Sequence, residues 1–195
     1  MDEEKARLTS YKARVFRDYK KLLDITGLNP EIALNYLADD PEAFVPILKS
    51  MRDQIVRSEI VYEYTFVDLE LDFLLIRHFF GTGKKLHNAR RTKRYRTFQL
   101  MLQNLYLLQK LSIVRSFKDI PRNIISKISA LNDLRNGIAH TFFLPDLKKH
   151  KRTYKGINVF TPKGLENFRN DMFEIRYFFM PWLRNYLVKE FQKET

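Results

Sequence analysis

From about Ser50 to Phe80 the apolar residues recur at intervals of three and four. Val56, Ile60, Tyr64, Val67, Leu71, Leu74 and Phe79 form the inward face of a long predicted helix, with Gly81 as its C-terminal stop. The same spacing runs through most of the chain. Leu8, Tyr11, Val15, Tyr19 and Leu22 form one stripe, ended by Gly27 and Pro30. Asn29-Pro30 opens a short helix over Glu31 to Leu37, and Asp40-Pro41 opens another near Glu42, with Pro46 either in its first turn or kinking it. Phe98, Met101, Leu105, Leu108 and Leu111 mark a further helix. Pro121 with Ile124, Ile128, Leu131 and Leu134 marks the next, running towards Ala139 until Leu144-Pro145 breaks it. Thr161-Pro162 caps a final helix whose inward residues are Leu165, Phe168, Met172, Ile175, Phe179, Trp182 and Leu187. Only Tyr154 to Phe160 carries a β signal, as a short hairpin or an extended loop.

This patterning predicts an all-α bundle of four to five helices at residues 50–195, preceded by a helical extension at residues 1–49. With 195 residues and 45% hydrophobic content, the chain is long enough to bury a core without disulfides. Zero cysteines exclude thiolate metal sites, iron–sulfur clusters and a cysteine nucleophile. No apolar run reaches the roughly 18 residues of a membrane span, and the N-terminus lacks a secretory pattern. A cytoplasmic protein without a membrane partner is the expectation.

Charge narrows the function. Lys and Arg total 35 against 23 Asp and Glu, a net charge of +12 that favours polyanionic partners. The excess is clustered. Lys84, Lys85, Arg90, Arg91, Lys93, Arg94 and Arg96 lie in one acid-free segment, read as a loop or a frayed helix start. Lys148, Lys149, Lys151, Arg152 and Lys155 form a second acid-free segment. Such runs are either solvated loops or phosphate-binding surfaces, and two in one small domain favour phosphate. Tyr95 and Tyr154, embedded in the clusters, either stack on bases or pack over loop edges.

Other chemistries find little support. Gly81-Thr82-Gly83-Lys84-Lys85 lacks the first glycine, the Ser/Thr after lysine and the preceding strand of a phosphate-binding loop. His78, His87, His140 and His150 show no zinc spacing. Glu59, Glu63, Asp68, Glu70 and Asp72 share the long helix, but no Glu-x-x-His pairs them as a metal site, and exposed helix carboxylates account for them. No glycine-flanked serine supports acyl transfer.

Residues 131–140 read Leu-Asn-Asp-Leu-Arg-Asn-Gly-Ile-Ala-His. This string resembles the HEPN superfamily (higher eukaryote and prokaryote nucleotide-binding domains), whose signature is an arginine, four to six residues, then a histidine. Arg135 to His140 is the four-residue form, and the helix ending at Phe80 is similar to the long helix upstream of the motif. The resemblance spans about residues 50–191 and implies a helical bundle acting as a metal-independent endoribonuclease on single-stranded RNA. It implies a homodimer, no cofactor, and a role in prokaryotic toxin–antitoxin systems or phage defence, with an antitoxin or other regulatory protein as partner.

The residue chemistry is compatible. Cleavage through the 2′-hydroxyl needs a base, an acid and positive charge on the phosphoryl oxygens. Imidazole serves near neutral pH, and guanidinium presents a fork to phosphate. His140 is assigned to proton transfer, Arg135 to charge stabilisation, and Asn136 to orienting His140 or the phosphate. One chain supplies one motif histidine and one motif arginine, so a twofold dimer would bring two motifs to one cleft. The bland alternatives are a helix-end arginine bonded to carbonyls and a satisfied histidine, with Gly137 permitting close helix approach. A non-catalytic HEPN module for RNA, nucleotide or protein, or a basic adaptor for acidic proteins, is the competing function. Nucleotidyltransferase-paired HEPN toxins carry a tyrosine two residues after the histidine, where this chain has Phe142, which puts that route of neutralisation in doubt.

Overall fold

The apolar stripe through Val56 and Leu71 becomes a single helix of 40 residues, α1, Pro41–Phe80, about 60 Å long. It belongs to a computed structural model that describes residues 41–139 and 152–191. Five more helices follow among the described residues: α2 Lys84–Ala89, α3 Lys93–Gln103, α4 Leu107–Arg115, α5 Arg122–Ala139 and α6 Pro162–Phe191. A two-stranded sheet, β1 Thr153–Tyr154 and β2 Ile157–Asn158, is the sole strand structure among them. The protein is all-α with one small β excursion. The helices expected before residue 41 lie outside the described residues.

Pro46 lies inside α1, which runs on without interruption past residue 50. As the sixth residue of α1, Pro46 lies past the N–H groups that have no intrahelical acceptor and so removes one bond of the helix ladder. Gly81 ends α1 at φ +77°, with its N–H on the Arg77 carbonyl at 2.9 Å. Glycine alone takes that left-handed conformation without a steric penalty.

The core lies where α1, α4, α5 and α6 meet. Val56, Ile60, Val67, Leu71, Leu74 and Leu75 of α1 are buried against Leu107, Leu111 and Val114 of α4 and Ile124, Ile128, Leu131, Leu134 and Ile138 of α5. Leu165, Phe168, Met172, Ile175 and Phe179 of α6 complete it. Burying each such side chain contributes about 2 kcal/mol. No helix among the described residues is long and apolar enough to cross a membrane.

One inward assignment, Phe79, fails, and two residues that mark the expected helix through Leu111 are exposed. Phe79 is 46% exposed and Met101 45%, and Leu108 is also exposed. The expected helix through Phe98 and Leu111 is two helices, α3 and α4, and the change of register at residues 104–106 turns Met101 and Leu108 outward. The Tyr106 N–H donates to the Gln109 side chain at 2.9 Å, which starts α4 afresh.

The β excursion is a hairpin with Thr153 opposite Asn158 and Tyr154 opposite Ile157. Lys155 and Gly156 make its turn, with φ of +48° and +81°. The hairpin is docked on α6. Tyr154 is buried edge-on against Phe168, with ring centroids 5.3 Å apart, and the Lys155 ammonium reaches Asp171 at 2.6 Å. The Thr161 hydroxyl accepts from the Gly164 N–H at 3.2 Å and donates to the Asn158 carbonyl at 2.7 Å, so one cap ties the helix start to the hairpin.

Candidate nucleic-acid interface

Leu131, Leu134 and Ile138 anchor the last turns of α5 in the core and thereby fix where the neighbouring polar residues emerge. Arg135 is half-buried and Asn136 exposed. The Arg135 guanidinium lies over the Tyr64 ring of α1, 4.8 Å from its centroid, and its Nη1 donates to Asn136 Oδ1 at 3.2 Å. Among the described residues no carboxylate pairs with Arg135. A stacked guanidinium without an acidic partner keeps its charge and donors for an incoming anion. Arg135 and Asn136 are therefore brought together. His140 lies outside the described residues.

The carboxylates of α1 have a different role from the one expected. Lys110 of α4 is 2% exposed, and its Nζ sits 2.8 Å from both Asp68 and Asp72. Burial pushes that ammonium down, but the two carboxylates more than offset it and hold it above its usual value. Glu59 takes a two-pronged contact from Arg169, at 2.6 and 2.7 Å. Glu63, also buried, receives Arg176, whose Nε lies 2.9 Å from Oε2. Burial raises the Glu63 carboxyl, with Arg176 opposing. These residues are interhelical ion-pair partners. Among the described residues no group of three or more His, Asp or Glu is placed to hold a metal ion.

The first basic segment is helical, where the sequence suggested a loop or frayed start. Leu86 and Tyr95 are its buried anchors, and the Thr92 hydroxyl accepts from the Tyr95 N–H at 3.2 Å to start α3. Lys84, Lys85, Arg90, Arg91, Lys93, Arg94 and Arg96 are all exposed, on these two helices and the turn between them. Among the described residues, Lys84, Lys85, Arg91, Lys93, Arg94 and Arg96 have no carboxylate ion pair. Cations on a helical frame keep fixed spacing, which suits a repeating phosphate chain.

The second basic segment is only partly described. Lys148, Lys149 and Lys151 lie outside the described residues. Arg152 is half-buried at the base of the hairpin, where its carbonyl accepts from the Val159 N–H at 2.9 Å. Burial lowers the Arg57 guanidinium below its usual value, Asp53 opposes this, and the nearby positive charge of Arg152 adds to it. Lys155 is held by Asp171. Tyr95 packs edge-on against Phe80 at 5.2 Å and Tyr154 against Phe168, so both tyrosines are core residues with no free face for a base.

One feature escaped the sequence reading. The end of α1 and the first turns of α3 enclose a groove of about 470 Å³ lined by Phe79, Phe80, Lys93, Arg94, Thr97, Phe98 and Met101. The exposed Phe79, expected inward, and Met101 belong to its wall. The signal available was the proximity in sequence of the Phe79-Phe80 pair to a cation-rich helix start.

No protein-family model, curated protein or solved structure matches the chain.

Proposed function

We propose that this chain is a HEPN-type, metal-independent endoribonuclease that cleaves single-stranded RNA at a site shared between two copies. The observation that carries this reading is the Arg135 guanidinium, held over Tyr64, bonded to Asn136 and without a carboxylate partner among the described residues. It stands within a string, Arg135 to His140, that has the spacing of the HEPN signature.

In the proposed reaction one imidazole removes the proton from a 2′-hydroxyl, and the resulting oxygen attacks the adjacent phosphorus. The bond from phosphorus to the 5′-oxygen breaks as an acid protonates that oxygen, leaving a 2′,3′-cyclic phosphate and a 5′-hydroxyl. His140 and its counterpart in a second copy take the two proton-transfer roles. Arg135 stabilises charge on the non-bridging oxygens, and Asn136 orients the phosphate or His140. The cations of α2 and α3 gather the RNA, with affinity falling steeply as salt rises. The biological setting proposed is prokaryotic toxin–antitoxin function or phage defence in the cytoplasm, under an antitoxin or other regulatory protein.

The test incubates wild type and His140→Ala, matched for folding and dimer mass, with labelled single-stranded RNA in EDTA. Cleavage by wild type and its loss in the variant support the nuclease. A folded dimer that binds RNA and cuts none across a broad panel points instead to the non-catalytic binding module.

A further inference from the structure

The groove between the end of α1 and α3 joins two kinds of surface. Its floor and walls are aromatic: Phe98 packs against Phe79 at 5.1 Å and Phe80 at 5.2 Å between ring centroids, and Phe79 remains 46% exposed. Its rim is cationic, with Lys93 and Arg94 among the lining residues and the Arg94 guanidinium 5.7 Å from the Phe80 ring centroid. No lining residue belongs to α5, so this groove is distinct from the Arg135–Asn136 pair.

Each half has an independent chemical meaning. An exposed ring offers a π-face that any nucleobase can cover. Ammonium and guanidinium groups lining the same groove match the phosphates on either side of that base. From Phe73 to Lys118 the chain carries no acidic residue, so nothing in this segment repels a polyanion. The volume of about 470 Å³ lies within the roughly 300–1,000 Å³ of small-ligand sites. A flat cationic face would serve for phosphate alone, and an uncharged aromatic cleft would serve an apolar protein anchor. The combination fits a base flanked by phosphates.

We propose that this groove is a base-binding subsite for single-stranded RNA, in which one unstacked base rests on Phe79 while Lys93 and Arg94 hold the neighbouring phosphates. It deepens the reading of the chain as an RNA-acting protein. It makes the α2–α3 surface a reader of unpaired bases as well as an electrostatic guide.

The experiment titrates the full chain with a fluorescent 2′-O-methyl oligonucleotide, which cannot be cut through the 2′-oxygen, and with an abasic strand of equal charge. Wild type should bind the base-bearing strand more tightly. Phe79→Ala should lose affinity for it by about 5- to 150-fold, the worth of one base–aromatic stack. Its affinity for the abasic strand should be unchanged. Phe79→Tyr should restore binding, which separates stacking from a folding defect. Lys93→Ala and Arg94→Ala should each lower the salt dependence by about 0.7 in log–log slope.

Equal affinity of wild type for the two strands would overturn the proposal. So would unchanged binding by Phe79→Ala, or displacement of the base-bearing strand by poly-glutamate as effective as by unlabelled RNA, which would mark an acidic-protein surface. The cleavage assay stays separate: RNA cutting with base-independent binding sinks the groove alone, and base-dependent binding without cutting sinks the nuclease alone.

Discussion

The guanidinium of Arg135 on α5 is stacked over the ring of Tyr64 on α1, 4.8 Å from its centroid, so the candidate catalytic arginine is positioned by a helix distant in sequence. Such a contact is worth about 0.5–2 kcal/mol. Tyr64→Leu is expected to lower RNA cleavage by about 2- to 30-fold, mainly in kcat, with little change in the salt dependence of binding. Tyr64→Phe, which keeps the ring, should cleave within about twofold of wild type. Equal loss in both variants would show that the hydroxyl, and not the stack, matters.

Lys110 joins α4 to α1 through two carboxylates at 2.8 Å. Lys110→Met leaves Asp68 and Asp72 facing each other without a counter-charge, and should destabilise the fold by about 3 kcal/mol. Adding Asp68→Asn and Asp72→Asn should recover much of that loss. Denaturant unfolding of the single and triple variants measures both effects.

Gly164 sits where α6 begins against the hairpin. A Cβ there would lie 1.9 Å from the Asn158 carbonyl oxygen, a backbone atom that cannot swing aside. Gly164→Ala should cost about 3 kcal/mol and lower Tm by roughly 6–12 °C. Gly156, at φ +81° with nothing within 4 Å of an added Cβ, tests strain alone. Gly156→Ala should cost about 1 kcal/mol.

Glu70 is 6% exposed, and burial pushes its carboxyl up to about 7. An unfolded chain loses that proton near the ordinary carboxylate value, so the folded state holds the extra proton in between. Stability from this group is therefore highest below the unfolded value, falls as pH rises towards about 7, and is flat above. Glu70→Gln should flatten this slope and stabilise the protein at pH 8 by up to about 3 kcal/mol. Parallel stability curves for the two proteins between pH 4.5 and 8 would contradict the assignment.

Much of the fold is legible because burial follows helical spacing: Val56, Ile60, Val67, Leu71 and Leu74 lie inward as their positions require. The Thr161-Pro162 start of α6 is equally readable, from cap chemistry. The break between α3 and α4 is not, since neither glycine nor proline marks residues 104–106 and the start of α4 rests on a Tyr106–Gln109 bond. That hidden change of register is why Phe98 to Leu111 reads as one helix in the sequence. At the candidate site, Arg135 and Asn136 are neighbours in sequence and their proximity could be read directly. Tyr64 could not be paired with Arg135, because interhelical contacts depend on how α1 and α5 pack. Of the two readings open for the embedded tyrosines, packing holds: Tyr95 and Tyr154 sit among cations in sequence but point into the core. His140, Lys148, Lys149 and Lys151 lie outside the described residues, so sequence alone speaks for them.

The central claim is strand cleavage by transesterification through the ribose 2′-oxygen, and the nature of the cut ends tests it most directly. Wild type in EDTA should convert single-stranded RNA to fragments ending in 2′,3′-cyclic phosphate and 5′-hydroxyl. The 2′-O-methylated strand should stay intact, and Arg135→Ala and His140→Ala should each reduce the rate at least about 100-fold. Cleavage of the methylated strand, ends bearing 5′-phosphate, or undiminished cutting by His140→Ala would contradict the account.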